Sequence, residues 1–227
     1  MEDPDILLGI DLSVASSDVL EILIEDSSEP DIFDEIARAN KNRHEILEFL
    51  YQHPNVPEQV KSFISGILQP TAHTAAVKSE VHRSKEFKTQ NLLQRIQALS
   101  VGERLQLALK GGRETRSILV KDTNKEVMLS VLENQKITES EIELIARSRS
   151  VPEEAFRKIS KNREWLKNYA IIFALVTNPK TPPGIAVTLV SSLKIKDLVI
   201  LEKNKNVPEL VRSAAKRLVS SRKPKGS

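Results

Sequence analysis

The residues of this chain that could take part in chemistry are four histidines and several groups of carboxylates. The histidines are His44, His53, His73 and His82, and no pair of them has the spacing of a zinc-binding His-Glu-x-x-His motif. The 227-residue chain has no cysteine, which excludes disulfides, thiolate metal sites and cysteine nucleophiles. The sequence therefore predicts no metal site and no cofactor, and we interpret the histidines as exposed polar side chains.

The carboxylates and the glycines also lack catalytic spacing. Glu139, Glu141 and Glu143 fall in an opening helical turn, where the helix dipole favours acidic side chains. The one adjacent glycine pair, Gly111-Gly112, lacks the Gly-Lys-Ser/Thr ending of a phosphate-binding loop and is typical of a helix end followed by a turn. We find no catalytic constellation and predict that the protein is not an enzyme.

Charged residues are distributed unevenly along the chain, although the net charge is only +3. Residues 1–60 contain 15 acidic and 3 basic residues, whereas residues 178–227 contain 3 acidic and 11 basic residues. This polarity predicts two surfaces with different binding preferences, or an acidic block that docks on the basic end of the same chain. The candidate partner-binding residues are the basic positions near the C-terminal end: Lys194, Lys196, Lys203, Lys205, Arg212, Lys216 and Arg217.

Apolar residues recur at helical spacing, and the alternation typical of strands is absent, so the sequence predicts an all-α fold. Ile142, Ile145 and Ala146 illustrate the pattern. Residues 164–177 are predicted to form the most apolar helix, with Trp165 and Tyr169 packed in the core.

A recurring six-residue phrase separates the helices. It occurs at residues 53–58, 148–153, 178–183 and 204–209, with proline in its fifth position. Proline suits the first turn of a helix and ends the preceding one, and an asparagine at the start of the phrase would close that helix in the left-handed conformation. Its prolines at positions 152, 182 and 208 are 30 and 26 residues apart, which predicts helix pairs that stack in a row as an α-solenoid.

The composition divides the chain into four segments. Residues 1–68 are predicted to form an acidic helical block, residues 69–86 a polar linker, residues 87–221 a basic helical-repeat solenoid, and residues 222–227 a tail. No apolar run reaches the length of a membrane span, and the N-terminal residues are acidic, unlike a signal peptide. We therefore expect a cytoplasmic protein that does not enter a membrane.

The phrases at residues 178–183 and 204–209, each followed by a short helix rich in leucine, alanine and valine, resemble those of leucine-rich repeat variant proteins. More loosely, they are similar to HEAT-like repeats. The resemblance extends over about residues 120–220 and weakly over residues 28–68. It implies a right-handed superhelix of short helices that binds partners and has no catalytic activity. The iron–sulfur module of some leucine-rich repeat variants does not carry over, because this chain has no cysteine.

Two functions from different classes remain open at this point. The preferred one is a non-catalytic scaffold or adaptor that binds a protein partner on the extended surface of its stacked helices. The alternative is nucleic-acid binding through the basic C-terminal face, as in HEAT-like proteins that hold the DNA backbone. The sequence identifies neither the partner nor the oligomeric state.

Overall fold

The computed structural model describes residues 11–27, 30–68 and 91–222, and throughout these ranges the secondary structure is helical, with no strand. The predicted all-α class is therefore confirmed. The described residues divide into two compact units, one ending at Leu119 and the other beginning at Val120. Residues 69–86, which the sequence predicts to be a linker, and residues 223–227 of the predicted tail lie outside the described ranges.

The first unit contains seven short helices among its described residues. Four precede position 68 and three follow position 91; they are α1 (Ser17–Asp26), α2 (Pro30–Ala39), α3 (His44–Gln52), α4 (Glu58–Ile67), α5 (Leu92–Ala98), α6 (Val101–Lys110) and α7 (Arg113–Leu119). Helix α1 is the most deeply buried of the set, with Val19 and every residue from Leu20 to Ile24 inaccessible or nearly so. It packs against α2, α3, α6 and α7 and so forms the centre of the unit.

Residues 120–222 of the second unit form seven α-helices and one 3₁₀ turn: α8 (Lys125–Val131), α9 (Glu139–Arg147), α10 (Glu153–Lys161), the turn Trp165–Lys167, α11 (Tyr169–Thr177), α12 (Pro183–Val190), α13 (Ile195–Leu201) and α14 (Glu209–Arg222). One continuous apolar core links these helices. Helix α11 is the most apolar, and its residues Ile171, Ile172 and Ala174–Val176 are buried. Contacts join each helix chiefly to the next one or to the next but one, as in the pairs α9–α10, α9–α11 and α12–α14.

The proline of the phrase acts as the helix N-cap. Pro57, Pro152 and Pro182 each have the extended backbone of an N-cap, and their carbonyls accept the first helical hydrogen bonds. The residue before the proline is buried in each copy of the phrase: Val56, Val151, Thr181 and Val207. The phrase therefore starts a helix and also places one side chain in the core.

The asparagine of the phrase has a different role from the predicted one. No residue in the described ranges, glycine included, has a positive φ, so asparagine does not close helices in the left-handed conformation. Instead, the buried Asn178 donates from Nδ2 to the carbonyls of Ala146 and Ser148, at 2.7 and 2.8 Å. Its Oδ1 accepts the N–H of Lys180 at 2.9 Å. The amide thus binds the carbonyls at the end of α9, which have no partner within that helix.

The helix predicted over residues 164–177 is divided in two. Asn168 has extended backbone, and its side chain accepts the N–H of Ala170, so it caps α11. A side chain that competes with the backbone for hydrogen bonds favours a cap over a helix interior. Trp165 and Tyr169 pack against the core from partly exposed positions on either side of this break.

The segment that contains α5, α6 and α7 belongs to the first unit, although the sequence-based division joins it to the later helices. Arg95 pairs with Glu25, and Lys110 pairs with Glu35 at 3.1 Å. The N–H of Thr115 donates to the Asp26 carboxylate at 3.0 Å. These contacts join the segment to the acidic early helices across 70 to 89 positions of sequence, a separation that helical periodicity does not describe.

Arg222 also differs from the sequence-based division, which assigned it to the tail. It is the last residue of α14, and its guanidinium donates to the carbonyls of Leu193 and Ser191 at 2.7 and 2.6 Å. These two bonds fix the end of α14 against the end of α12.

Replacing Thr181 by valine is expected to stabilise the protein by about 1 kcal/mol. The Thr181 hydroxyl is buried without a hydrogen-bond partner, which is unfavourable, and valine occupies this place in the other copies of the phrase. Urea unfolding followed by the fluorescence of Trp165, the single tryptophan, measures the change. Thr188→Val is the control, because the exposed Thr188 donates to the Gly184 carbonyl and should gain nothing. A destabilised Thr181→Val variant would contradict the prediction.

Candidate functional site

The seven basic residues singled out in the sequence lie around the last two helices of the chain. Lys194 is the N-cap of α13 and Lys196 lies in its first turn, while Lys203 and Lys205 lie in the turn that follows this helix. The remaining three, Arg212, Lys216 and Arg217, lie on α14. All are exposed except Arg212, which is partly buried and paired with Glu209.

These side chains do not point in one direction. With about 100° of rotation per helical residue, Arg212 and Lys216 are about 40° apart around α14, whereas Lys216 and Arg217 are about 100° apart. The other members occupy opposite ends of the seven-residue helix α13. The structure thus places the basic residues at both ends of α13 and on two sides of α14.

Tyr169 organises the start of α13 in a way that the sequence pattern does not reveal. Its hydroxyl donates to the Asp197 carboxylate and accepts the N–H of Lys194 at 3.1 Å. The Lys194 ammonium lies 4.7 Å from the centre of the tyrosine ring. Burial raises the pKa of the Tyr169 hydroxyl, and its hydrogen bond to Asp197 contributes to this shift. Both the backbone N–H and the ammonium group of Lys194 therefore contact Tyr169 within the fold.

A groove of about 640 Å³ lies between α10 and α12. Its α10 wall presents Glu153, Arg157 and Ser160. Its other wall is the uncharged start of α12, formed by Pro182, Pro183, Gly184, Ile185, Thr188 and Leu189. The sequence analysis did not identify the groove, because its two walls are about 30 residues apart along the chain and meet only through tertiary packing.

His53 differs from the exposed histidine that the sequence suggests. Its ring lies 6.1 Å from that of Phe33, centroid to centroid, and Nδ1 is buried without a hydrogen-bond partner. Burial lowers the pKa of His53; Lys61 adds to this effect and Glu25 opposes it. The folded first unit therefore favours the neutral His53 ring over the protonated one.

Acidification should destabilise the first unit through His53. The folded state lowers the pKa of His53. The stability that the neutral His53 ring contributes is therefore complete above the unfolded-state pKa of about 6.5 and is lost as the pH falls through the folded-state pKa. Urea midpoints from far-UV circular dichroism at pH 7.5 and 5.5 measure the loss. His53→Phe should reduce it, whereas the exposed control His44→Gln should not. Equal pH dependence in wild type and His53→Phe would refute this assignment.

Other features bear on the kind of site this chain could hold. Within the described residues, no three side chains of the metal-binding types lie together. No helix in these ranges is both long enough and apolar enough to cross a membrane. The features of the described helices that could bind a partner are therefore the groove between α10 and α12 and the basic residues around α13 and α14.

The described residues form an all-α protein of short helices, of which α4, α10 and α12 begin at a proline N-cap. Comparisons with family models, with curated proteins and with solved structures find no match to this chain. Arguments about its function therefore start from its own residues.

Proposed function

We propose that this chain is a non-catalytic, cytoplasmic protein-interaction scaffold whose second unit is a short right-handed α-solenoid of stacked helix pairs. One observation carries the proposal. Ten side-chain hydrogen bonds between separate parts of residues 120–222 join positions 25 to 32 residues apart. A constant span of about one helix pair is expected where equivalent helices of successive repeats lie side by side. The hand is taken from the resemblance to leucine-rich repeat variants.

Stacked helix pairs favour binding over catalysis. They give a long surface on which a partner can contact several helices at once, while each pair contributes only a few side chains. The uncharged wall of the groove between α10 and α12 would add an apolar contact to such a surface. The distribution of the basic residues over several sides of α13 and α14 also favours a protein scaffold over a single nucleic-acid track.

Affinity capture tests this function. The full chain is immobilised and exposed to a lysate of the cells that express it, with and without nuclease, and the retained material is quantified by mass spectrometry. The scaffold function predicts a protein retained in near-stoichiometric amount and insensitive to nuclease. Retention of nucleic acid alone, or loss of all retained protein after nuclease treatment, would contradict it.

A second candidate, nucleic-acid binding, is favoured by one observation. Lys196, Lys203, Lys205, Lys216 and Arg217 are exposed and have no ion-pair partner among the residues that the structure describes. Phosphate contacts weaken steeply with salt, so gel-shift assays at 50 and at 200 mM salt (about a fourfold change) distinguish this candidate. Binding that falls with salt, and falls further when Lys216 and Arg217 are replaced by serine, would favour it over the scaffold.

A further inference from the structure

The groove between α10 and α12 lies at a junction that lacks the side-chain links present at the preceding one. Lys125 of α8 pairs with Glu154 of α10, and Glu133, two residues after the end of α8, pairs with Lys158 of α10. No hydrogen bond or ion pair joins α10 to α12, both of which are fully described. The groove is therefore a local gap in a series of otherwise linked helices.

The reason for the gap is found in the sequence of α12. Glu154 and Lys158 are the second and sixth residues after the proline cap of α10. The same positions after the proline cap of α12 are Gly184 and Thr188, and both line the groove. Glycine has no side chain and threonine is too short to form the equivalent ion pairs. The different residues at these two equivalent positions thus leave the junction between α10 and α12 without ion pairs.

The charges around the groove favour an acidic occupant. Helix α12 has no charged residue, so its wall offers only apolar surface and small polar groups. On the α10 wall, Arg157 is paired with Glu153, and both side chains are more than half exposed. Lys161 follows Arg157 by one helical turn, Lys180 lies just before Pro182, and both are exposed. Arg157 and Glu153 line the groove, while Lys161 and Lys180 lie one and two residues along the chain from the lining residues Ser160 and Pro182. The neighbouring carboxylate of Glu154 is paired with Lys125.

We propose that this groove binds an acidic peptide segment of a partner protein, with an aliphatic side chain seated against Ile185 and Leu189. This inference rests on the scaffold function. The exposed Glu153–Arg157 pair contributes little to stability, so Arg157 is free to exchange Glu153 for a carboxylate of the peptide. The volume lies within the usual range of ligand sites, and the open side admits a chain that continues beyond the groove.

Gly184→Glu is the most specific block of the groove. A Cβ atom added at Gly184 meets no atom within 4 Å, so the backbone at this position has room for a side chain. The new carboxylate fills the groove, repels an acidic peptide and restores the residue type found at the same position of α10. Gly102→Glu is the matched control: Gly102 is also the second residue of its helix, also has open space around it, and lies in the first unit. Arg157→Gln separately removes the proposed carboxylate anchor.

The test uses a displayed library of random 12-residue peptides selected on the full chain, followed by fluorescence anisotropy with the selected peptides. We expect enrichment of aspartate and glutamate next to leucine or isoleucine. We expect the affinity to be equal for wild type and Gly102→Glu, and at least about tenfold weaker for Gly184→Glu and Arg157→Gln. Circular dichroism confirms that each variant is folded.

Three outcomes would overturn the groove proposal: selection of basic or uncharged peptides, selection of no peptide, or acidic peptides whose affinity is unchanged by Gly184→Glu. Its failure is distinguishable from failure of the scaffold function. A captured protein that binds Gly184→Glu as well as wild type would leave the scaffold function in place and refute the groove. Capture of no protein would refute the scaffold function itself.

Discussion

Replacing Gly112 by alanine is expected to lower the free energy of unfolding of the first unit by about 3 kcal/mol. A Cβ atom at this position would lie 2.3 Å from the carbonyl oxygen of Asp26 and 2.8 Å from its Cγ. The carbonyl belongs to the last residue of α1, the most buried helix of this unit, so the backbone cannot move away cheaply. Urea unfolding followed by far-UV circular dichroism measures the effect.

Two variants separate this clash from other effects at the same place. Gly102→Ala has open space around it and should stabilise its helix slightly, because alanine favours helix more than glycine does. Asp26→Ala removes the carboxylate that accepts the Thr115 N–H, which should cost about 1 kcal/mol, as for other helix caps. If Gly112→Ala proved no more destabilising than Asp26→Ala, the close approach of the backbone would not be the cause.

Replacing Asn178 by aspartate is expected to destabilise the second unit by about 4 kcal/mol. The buried Nδ2 group donates to two carbonyls, and an aspartate oxygen in its place would face both of them without a proton to share. The carbonyls of Ala146 and Ser148 would also lose a partner. The Trp165 fluorescence transition in urea reports on this unit directly and should shift to a lower midpoint.

Asn204→Asp is the matched control for that substitution. Asn204 begins the next copy of the phrase, and its Oδ1 accepts the N–H of Asn206 at 3.0 Å. An aspartate at this position keeps the acceptor oxygen, and the Asn204 amide nitrogen donates to no carbonyl in the described ranges. The free energy of unfolding should therefore change by no more than about 0.5 kcal/mol. Equal destabilisation by the two substitutions would show that the long-range bonds of Asn178 are unimportant.

Local sequence rules account for most of what was predicted correctly. Helical periodicity gives the all-α class, and proline followed by glutamate locates the starts of α4, α10 and α14. Both effects depend on residues within one or two turns of each other, so they can be read without knowing the rest of the fold. The solenoid arrangement, the partner and the role of the basic residues remain predictions.

The features that sequence reasoning missed depend on residues that meet only after folding. Glycine is common in turns, and the sequence around Gly112 does not indicate that the Asp26 backbone packs against this residue. The grouping of α5–α7 with α1 joins residues 70 to 89 positions apart through Arg95 and Thr115. The groove forms where α12 has Gly184 and Thr188 at the positions that carry two charged residues in α10. The two helices can be compared position by position only after their first residues are known.

The similar sequence separation of the residues joined by these hydrogen bonds in the second unit also matters for folding during synthesis. The ten hydrogen bonds between separate parts of residues 120–222 span 25 to 32 residues, so each can form soon after its later partner leaves the ribosome. Chains dominated by contacts of short sequence separation fold rapidly. Duplicating one helix pair within the gene would lengthen this part of the protein by about the separation that these bonds already span along the chain.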